Sequence, residues 1–323
     1  ANVKIEKDNQ VISNNSEVSL VGGNNIYKVT ITSTDQTVTK EYKINIKVKQ
    51  VVPLKDEIMK NTVITANPTL TTSSNNTSDA SGLYKSTVTN TGNPTYYFRG
   101  NVENNYVKFA GQTWRIVRVN EDGTIRIVMQ DGINGNTEYK FNSNYNNYTY
   151  MYYTNSEAKT TLESWYQTNI GSKSNLAKNV ASGNYYCEQA KVKYSDSFTS
   201  GSATMTTYNK YTPDFKCSTD GNGKGLVNTS VGLLTYDEVV YAGGYYNQNN
   251  SNYYLYNSSI AWRMMSPTGF YGSYATVWYV NTPGYIDYHL VDITTRLRPV
   301  LILNADIKIS GGNGTKEEPF AIN

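Results

Sequence analysis

Several side-chain classes are missing where they would be informative. Between Ser266 and Thr295 the chain has no Lys, Arg, Glu or Gln, although lysine is used freely elsewhere. It has one histidine, His289, and two cysteines, Cys187 and Cys217. None of them stands in a metal-ligand or redox spacing such as HExxH or CxxC, and no GxSxG elbow or phosphate-binding glycine loop occurs. No basic block forms and the formal net charge is only +3, which argues against a nucleic-acid groove. No apolar run approaches the ~20 residues of a membrane-spanning helix. The stretch DGNGKG (220–225) has a lysine inside and no closing glutamate, so it is read as a flexible turn rather than a calcium loop.

What the chain has in abundance is tyrosine: 30 residues against 7 phenylalanines. Tyrosine buries a ring and keeps a wet hydroxyl, so such a chain is expected to have thin cores and amphipathic surfaces. The stretch GFYGSYATVWYVNTPGYIDY (269–288) concentrates this chemistry. Rigid aromatic rings with Ser, Gly and Asn give large contact area at low side-chain entropy cost, the composition of antibody loops. The candidate ligand-binding residues are therefore Phe270, Tyr271, Tyr274, Tyr279, Asn281, Tyr285, Asp287, Tyr288 and His289. In ATVWYV, alternation predicts one buried face, so only one of Trp278 and Tyr279 is expected outside; Tyr279 is favoured. Trp114, Trp165 and Trp262 are read as core. Two further Tyr/Asn clusters, 142–153 and 243–256, fit either an extended patch or loops folded on themselves.

Along the chain, YKVTITSTDQTVTKEYKINIKVK alternates with period two around a TSTDQT turn, and EVSLVGGNNIY is read as short strands flanking a GGNN turn. Residues 1–50 are thus expected to be all-β. Residues 51–82 hold a short helical signal in LKDEIMKN and then a Ser/Thr/Asn run, read as a linker. From 83 to 323 the signals are mixed. TWRIVRVNEDGTIRIVMQ predicts a hairpin turning at Asp122-Gly123. NSEAKTTLESWYQTNI predicts a helix capped by Asn155 or Ser156 and ended by Gly171, and TYDEVVYAGG a second with a Thr235/Glu238 capping box ended at Gly243. RLRPVLILN predicts a late strand returning to the early hairpin, an α+β arrangement. In a secreted chain Cys187 and Cys217 are expected to pair; the alternative is two buried thiols.

Five fragments then appear in order: YYFRGNVENNYVKFAGQTWRIVRVNEDGTIRIV (96–128), VGLLTYDEVVYAGG (231–244), NNSNYYLY (249–256), WRMMSP (262–267) and LRPVLILNADIKISGGNGTKEEPF (297–320). Together they resemble a family of extracellular Gram-positive bacterial proteins with a C-type-lectin-like fold, whose C-terminal signature is W-x-M-S-P, a variable stretch, then G-V-R-P-V-I-x-L. Residues 1–50 resemble the second half of a bacterial cadherin-like β-sandwich repeat. The resemblance implies a rigid frame of antiparallel sheets, two helices and long loops, tolerant of loop variation. In some relatives a retroelement rewrites adenine positions in the segment before the last strand, and the composition of 266–295 fits that restriction apart from Trp278. Arg296-Leu297 stand where the family has Gly-Val. No calcium-site tripeptide such as E-P-N occurs, so calcium-dependent sugar binding is not implied.

The expected function follows. The chain is read as a cell-surface adhesin or receptor-binding module, extracellular and bacterial, cut from or matured out of something longer. It is expected to recognise a protein or glycan on another cell surface, with no cofactor, metal, nucleic acid or membrane insertion, and to be no enzyme. The alternative is a structural subunit of a pilus or fibre, in which a neighbouring subunit completes the N-terminal sandwich. An enzyme on a lectin-like frame comes third.

Overall fold

The computed structural model describes residues 1–13, 15–48, 51–70, 79–183, 185–188, 213–217, 225–271 and 273–322, with the backbone alone at 271. The DGNGKG turn therefore lies outside the described residues, apart from Gly225.

The alternating N-terminal sequence forms one antiparallel sheet in the order β2–β1–β3–β4, from Asn2–Lys7 (β1), Gln10–Ile12 (β2), Gly23–Thr32 (β3) and Thr39–Val48 (β4). Period-two patterning places Tyr27 opposite Ile44 and Val29 opposite Tyr42. The described residues of this region make a single sheet layer. One expectation is corrected here. GGNN is not a turn between strands: β3 begins at Gly23, and the buried Asn25 side chain ties the preceding chain down by accepting from Val21 N (3.1 Å) and donating to Val21 O (2.8 Å).

The segment read as a linker also differs. Val52–Pro53 (β5), the helix Leu54–Ile58 and Val63–Ile64 (β6) belong to the second unit. Leu54 and Ile58, four apart on one helical face, are fully buried in its core. The Ser/Thr/Asn composition of the later residues does not reach these positions, and 71–78 lie outside the described residues.

The second unit is α+β, mostly sheet with few short helices. Its larger sheet runs β19–β11–β10–β8–β7–β6, with β7 Gly82–Ser86, β8 Thr95–Arg99, β10 Gln112–Val119, β11 Ile125–Met129 and β19 Val300–Leu303. β9 (Tyr106–Phe109) pairs with β10 and, on its other edge, with the C-terminal β21 (Phe320–Ala321), and β20 (Lys308–Ile309) pairs with β5. The β10–β11 hairpin turns at Asp122-Gly123: Gly123 has φ 88°, its N–H reaches Asn120 O at 2.9 Å, and Asp122 Oδ1 accepts from Thr124 N at 2.9 Å. β19 returns to pair with β11, Val300 opposite Val128. A second sheet runs β12–β18–β15–β16–β17, from Glu138–Tyr139, Thr295–Arg296, Trp262–Tyr271, Tyr274–Val280 and Ile286–Leu290.

Ser156 caps the helix Glu157–Tyr166, and Thr235 with Glu238 forms the capping box of the helix Tyr236–Ala242, which ends at left-handed Gly243. Trp114, Trp165 and Trp262 are buried. A disulfide joins Cys187 to Cys217, beside a two-stranded ribbon of Tyr186–Cys187 (β13) and Leu226–Val227 (β14).

Arginine ties the loops to the sheets. Five of the seven arginines are buried, and no lysine is buried among the described residues. Arg298 in β19's approach donates from Nε to Met129 O (2.9 Å) and from Nη1 to Leu255 O (2.8 Å). Arg99 at the end of β8 reaches Val240 O (2.8 Å), Tyr241 O (3.0 Å) and Asp79 Oδ2 (2.8 Å). Arg115 donates to Asn105 Oδ1 (2.6 Å) and Val102 O (2.7 Å). A guanidinium carries five donors in a rigid fork, so one side chain can satisfy carbonyls from two loops at once.

Two outcomes follow. Arg298→Leu leaves two buried carbonyls without donors and is expected to destabilise the chain by about 3 kcal/mol, with Arg298→Lys recovering little of it because an ammonium cannot span both acceptors; urea unfolding measures both. Cys187→Ser with Cys217→Ser opens a loop of 30 residues and is expected to cost about 3 kcal/mol by the loop-entropy estimate, seen as a lower melting temperature that reductant no longer changes.

Candidate recognition surface

Strands β15, β16 and β17 and the β16–β17 turn, which holds Asn281 and Tyr285, carry all the predicted binding residues. The register sorts them onto two faces. On one face lie Trp262, Trp278, Val280, Ile286 and Tyr288. This face packs against the helix Tyr236–Ala242 and the segment after it, with the Trp278 ring 5.1 Å from Tyr236, 6.2 Å from Tyr246 and 5.9 Å from Tyr288. On the other face lie Arg263, Val277, Tyr279, Asp287 and His289.

Trp278 and Tyr279 are both buried, at 6% and 8% exposure, so the expectation that Tyr279 stands outside is corrected. The reason is that both faces of β16 are covered: the helix Tyr236–Ala242 and Tyr246 lie over Trp278, and Arg263 and His289 of the adjacent strands lie against the Tyr279 ring. Phe270 is buried as well, opposite Ala275 in the ladder. The Tyr271 side chain lies outside the described residues. Tyr274, Asn281, Tyr285, Asp287, Tyr288 and His289 keep partial or full exposure. Of these, Tyr288 is turned to the Trp278 side.

Two groups reach solvent. The first is a ring pair. Tyr274, 46% exposed, stacks on Tyr145, 37% exposed, with centroids 5.4 Å apart and planes at 20°. The loop bearing Tyr145 is fixed to β16 by Ala275 N donating to Tyr145 O at 2.8 Å. The second group is the β16–β17 turn. Asn281 Nδ2 donates to Tyr285 Oη at 2.8 Å and Tyr279 Oη at 3.3 Å. Gly284 holds φ 87°, and a β-carbon there would meet Asn250 O at 1.9 Å, so only glycine lets the turn lie against that loop.

Arg263 underlies the second group. It is fully buried and donates from Nη2 to Leu290 O (2.7 Å) and Ile293 O (2.8 Å), while its Cζ sits 5.7 Å from the centre of the Tyr279 ring. Burial pulls its pKa down, yet it stays a cation at neutral pH. His289 lies against the Tyr279 ring, centroids 5.9 Å apart, and its Nδ1 accepts from Leu290 N at 2.8 Å. Burial, and then the Arg263 charge, depress its pKa, with Asp287 and Asp292 opposing. The imidazole is therefore neutral at physiological pH, with Nε2–H as its remaining donor. Burial, with Asp287 and Tyr285 adding to it, pushes the Tyr279 hydroxyl up to about 12, so it too remains a neutral donor and acceptor. The surface offers rings, neutral donors and one carboxylate.

Sequence reasoning missed Arg263 and Tyr145. Arg263 is the last charged residue before the uncharged stretch, in WRMMSP, and Tyr145 is in the 142–153 cluster. The end of that cluster folds inward: Met151, Tyr152 and Tyr153 are fully buried, as is Leu255 in the 243–256 cluster, with Tyr253 and Tyr254 at 1% and 3% exposure.

A separate cavity of about 310 Å³ lies beside the disulfide, between the β10–β11 turn and the start of the helix Tyr236–Ala242. Its wall includes an ion triad: Glu238 Oε1 is 2.6 Å from Arg126 Nε and 3.3 Å from Arg118 Nε. Glu238 Oε2 accepts from Thr235 N at 3.0 Å, and Arg118 lies 4.7 Å over the Phe215 ring. These charges complete the capping box and bind the helix to the hairpin, which leaves the carboxylate little freedom for other chemistry. Among the described residues no group of three or more His, Cys, Asp or Glu is placed to hold a metal ion, and no helix is long and apolar enough to cross a membrane.

The single histidine makes one outcome testable. A depressed folded pKa means the folded state resists protonation, so stability is fully present above the ordinary value of 6.5 and declines as pH falls through and below it. The melting temperature is expected to drop between about pH 7.5 and pH 5.5, and His289→Gln is expected to flatten that drop. Comparison with family models, with curated proteins and with solved structures finds no match to this chain.

Proposed function

We propose that this chain is an extracellular recognition module, an adhesin or receptor-binding head that engages a protein or glycan through the groups that the β15–β17 sheet leaves exposed at its ends. The observation that carries this reading is the exposed Tyr145–Tyr274 ring pair on the same sheet as the Asn281–Tyr285 turn and neutral His289. Two flat rings offer a stacking platform for a sugar face or a side chain, and the turn offers directional hydrogen bonds at its rim. Placement on strands clamped by Arg263 gives the surface little entropy to lose on binding.

The finer reading of the frame as C-type-lectin-like is supported by the return of the last long strand to the first hairpin, the two capped helices and the long loops. Sequence diversification of the 266–295 stretch, on this reading, is confined to Tyr274, Asn281, Tyr285, Asp287 and His289. The neighbouring Phe270, Val277, Trp278 and Tyr279 are core.

The experiment is a glycan array run beside a cell-surface protein display screen, with the wild type and a Tyr145→Ala, Tyr274→Ala, Tyr285→Ala variant. Binding of any hit is expected to weaken by about 100-fold, at an unchanged melting temperature, because ring anchors of this kind contribute about 1–2 kcal/mol each. A hit that binds the variant as well as the wild type places recognition elsewhere and defeats the reading.

A further inference from the structure

The register of the N-terminal sheet separates two unlike faces. One carries Lys4, Glu6, Lys28, Glu41, Lys43 and Lys47, interleaved with Thr and Asn. It includes ion pairs at 2.7 Å (Lys4–Glu6) and 2.5 Å (Lys28–Glu41) and is a solvated surface. The other face aligns Val3, Ile5, Val29, Ile31, Tyr42, Ile44 and Ile46 across the strands. On a sheet of this patterning the second face is the one that belongs in a core. In this structure it is open: Val3 is 49% exposed, Tyr42 51%, Ile44 49% and Ile46 40%. It is large, contiguous and apolar, and it lies outside the recognition surface described above.

We infer that this face is the seat of a second copy of the same chain, two sheets packing face to face across a two-fold axis as a β-sandwich. Three observations select that occupant. First, the face carries no acidic side chain and two cations, Lys7 and Lys40. Lys7 is turned inward, donating to Asn25 Oδ1 at 2.9 Å and lying 5.6 Å over the Tyr27 ring, and Lys40 stands in the outermost strand near its start. A mainly apolar face with its cations turned inward or at the edge meets its own copy with little repulsion and offers a charged partner little to select. Second, the size is right. The four strands cover about 500 Å² in projection, from the ~3.4 Å rise and ~4.8 Å strand spacing. Side-chain relief brings the accessible area towards the ~800 Å² per partner of a standard stable interface. Third, side chains of two such faces interdigitate at the ~10 Å separation of packed sheets, and an isologous contact closes at two copies.

The test is sedimentation equilibrium or light scattering on the full chain up to about 100 µM, a range that detects dimers of ordinary affinity. A dimer of twice the 36.2 kDa chain mass is expected. Ile44→Lys is expected to weaken it at least tenfold. Tyr42→Thr, a strand-compatible change at a side chain already half-exposed, is expected to weaken it without unfolding the sheet. Thr30→Lys on the charged face is expected to leave it intact. A chain that stays monomeric throughout, or a dimer that survives both Ile44→Lys and Tyr42→Thr, overturns the inference. Ligand binding by the Tyr145–Tyr274 surface is read separately and does not depend on either outcome.

Discussion

The frame depends on buried guanidinium groups. A chain with long irregular connections carries many carbonyls that neither a helix nor a sheet ladder can satisfy, and each one left bare in the interior is costly. Arg99, Arg115, Arg126 and Arg263 meet this need from strands and Arg298 from just before β19, each reaching main-chain carbonyls of another segment. Lysine, three times as frequent by count in this sequence, is kept out of the interior among the described residues. The division follows from the two side chains: a planar, weakly hydrated fork tolerates desolvation when its hydrogens are bonded, and a compact ammonium does not.

Tyrosine repeats the same solution with a neutral group. Tyr153 donates to Val231 O (2.9 Å), Tyr186 to Val300 O (2.9 Å), Tyr253 to Gly284 O (2.9 Å) and Tyr241 to Pro213 O (3.0 Å). Burial raises the pKa of each of these hydroxyls, so they stay protonated and remain donors. The ring fills core volume and the hydroxyl closes a loop carbonyl. The abundance of tyrosine over phenylalanine is therefore a property of the interior as much as of the surface, and a Tyr-rich composition by itself does not mark a binding face.

This interior use of aromatics bears on recognition. Alternation in ATVWYV predicts one buried face with Tyr279 outside, yet Trp278 and Tyr279 are both buried, one under the helix Tyr236–Ala242 and the other against Arg263 and His289. What stays outside is smaller and sharper: one stacked ring pair at the start of β16 and one hydrogen-bonded turn at its end. Both are fixed by the main chain around them, Tyr145 through Ala275 and the turn through Gly284. A surface held this firmly gains selectivity from shape and from the few polar groups it leaves available.

Local signals in the sequence were sufficient for the elements whose geometry is local. The Asp122-Gly123 turn, the Ser156 cap, the Thr235/Glu238 capping box and the alternating strands all depend on residues within a few positions of each other. The return of RPVLILN to the early hairpin was legible because a β-branched run of that length has to find a buried neighbour. The tertiary structure alone decided which aromatic residues face out, because the side-chain period of a strand says which residues share a face and not whether a face is covered. It alone brought Tyr145 onto Tyr274 and assigned Leu54 and Ile58 to the core. It also left one face of the N-terminal sheet bare, since coverage is set by contacts between residues far apart in sequence, which no local pattern records.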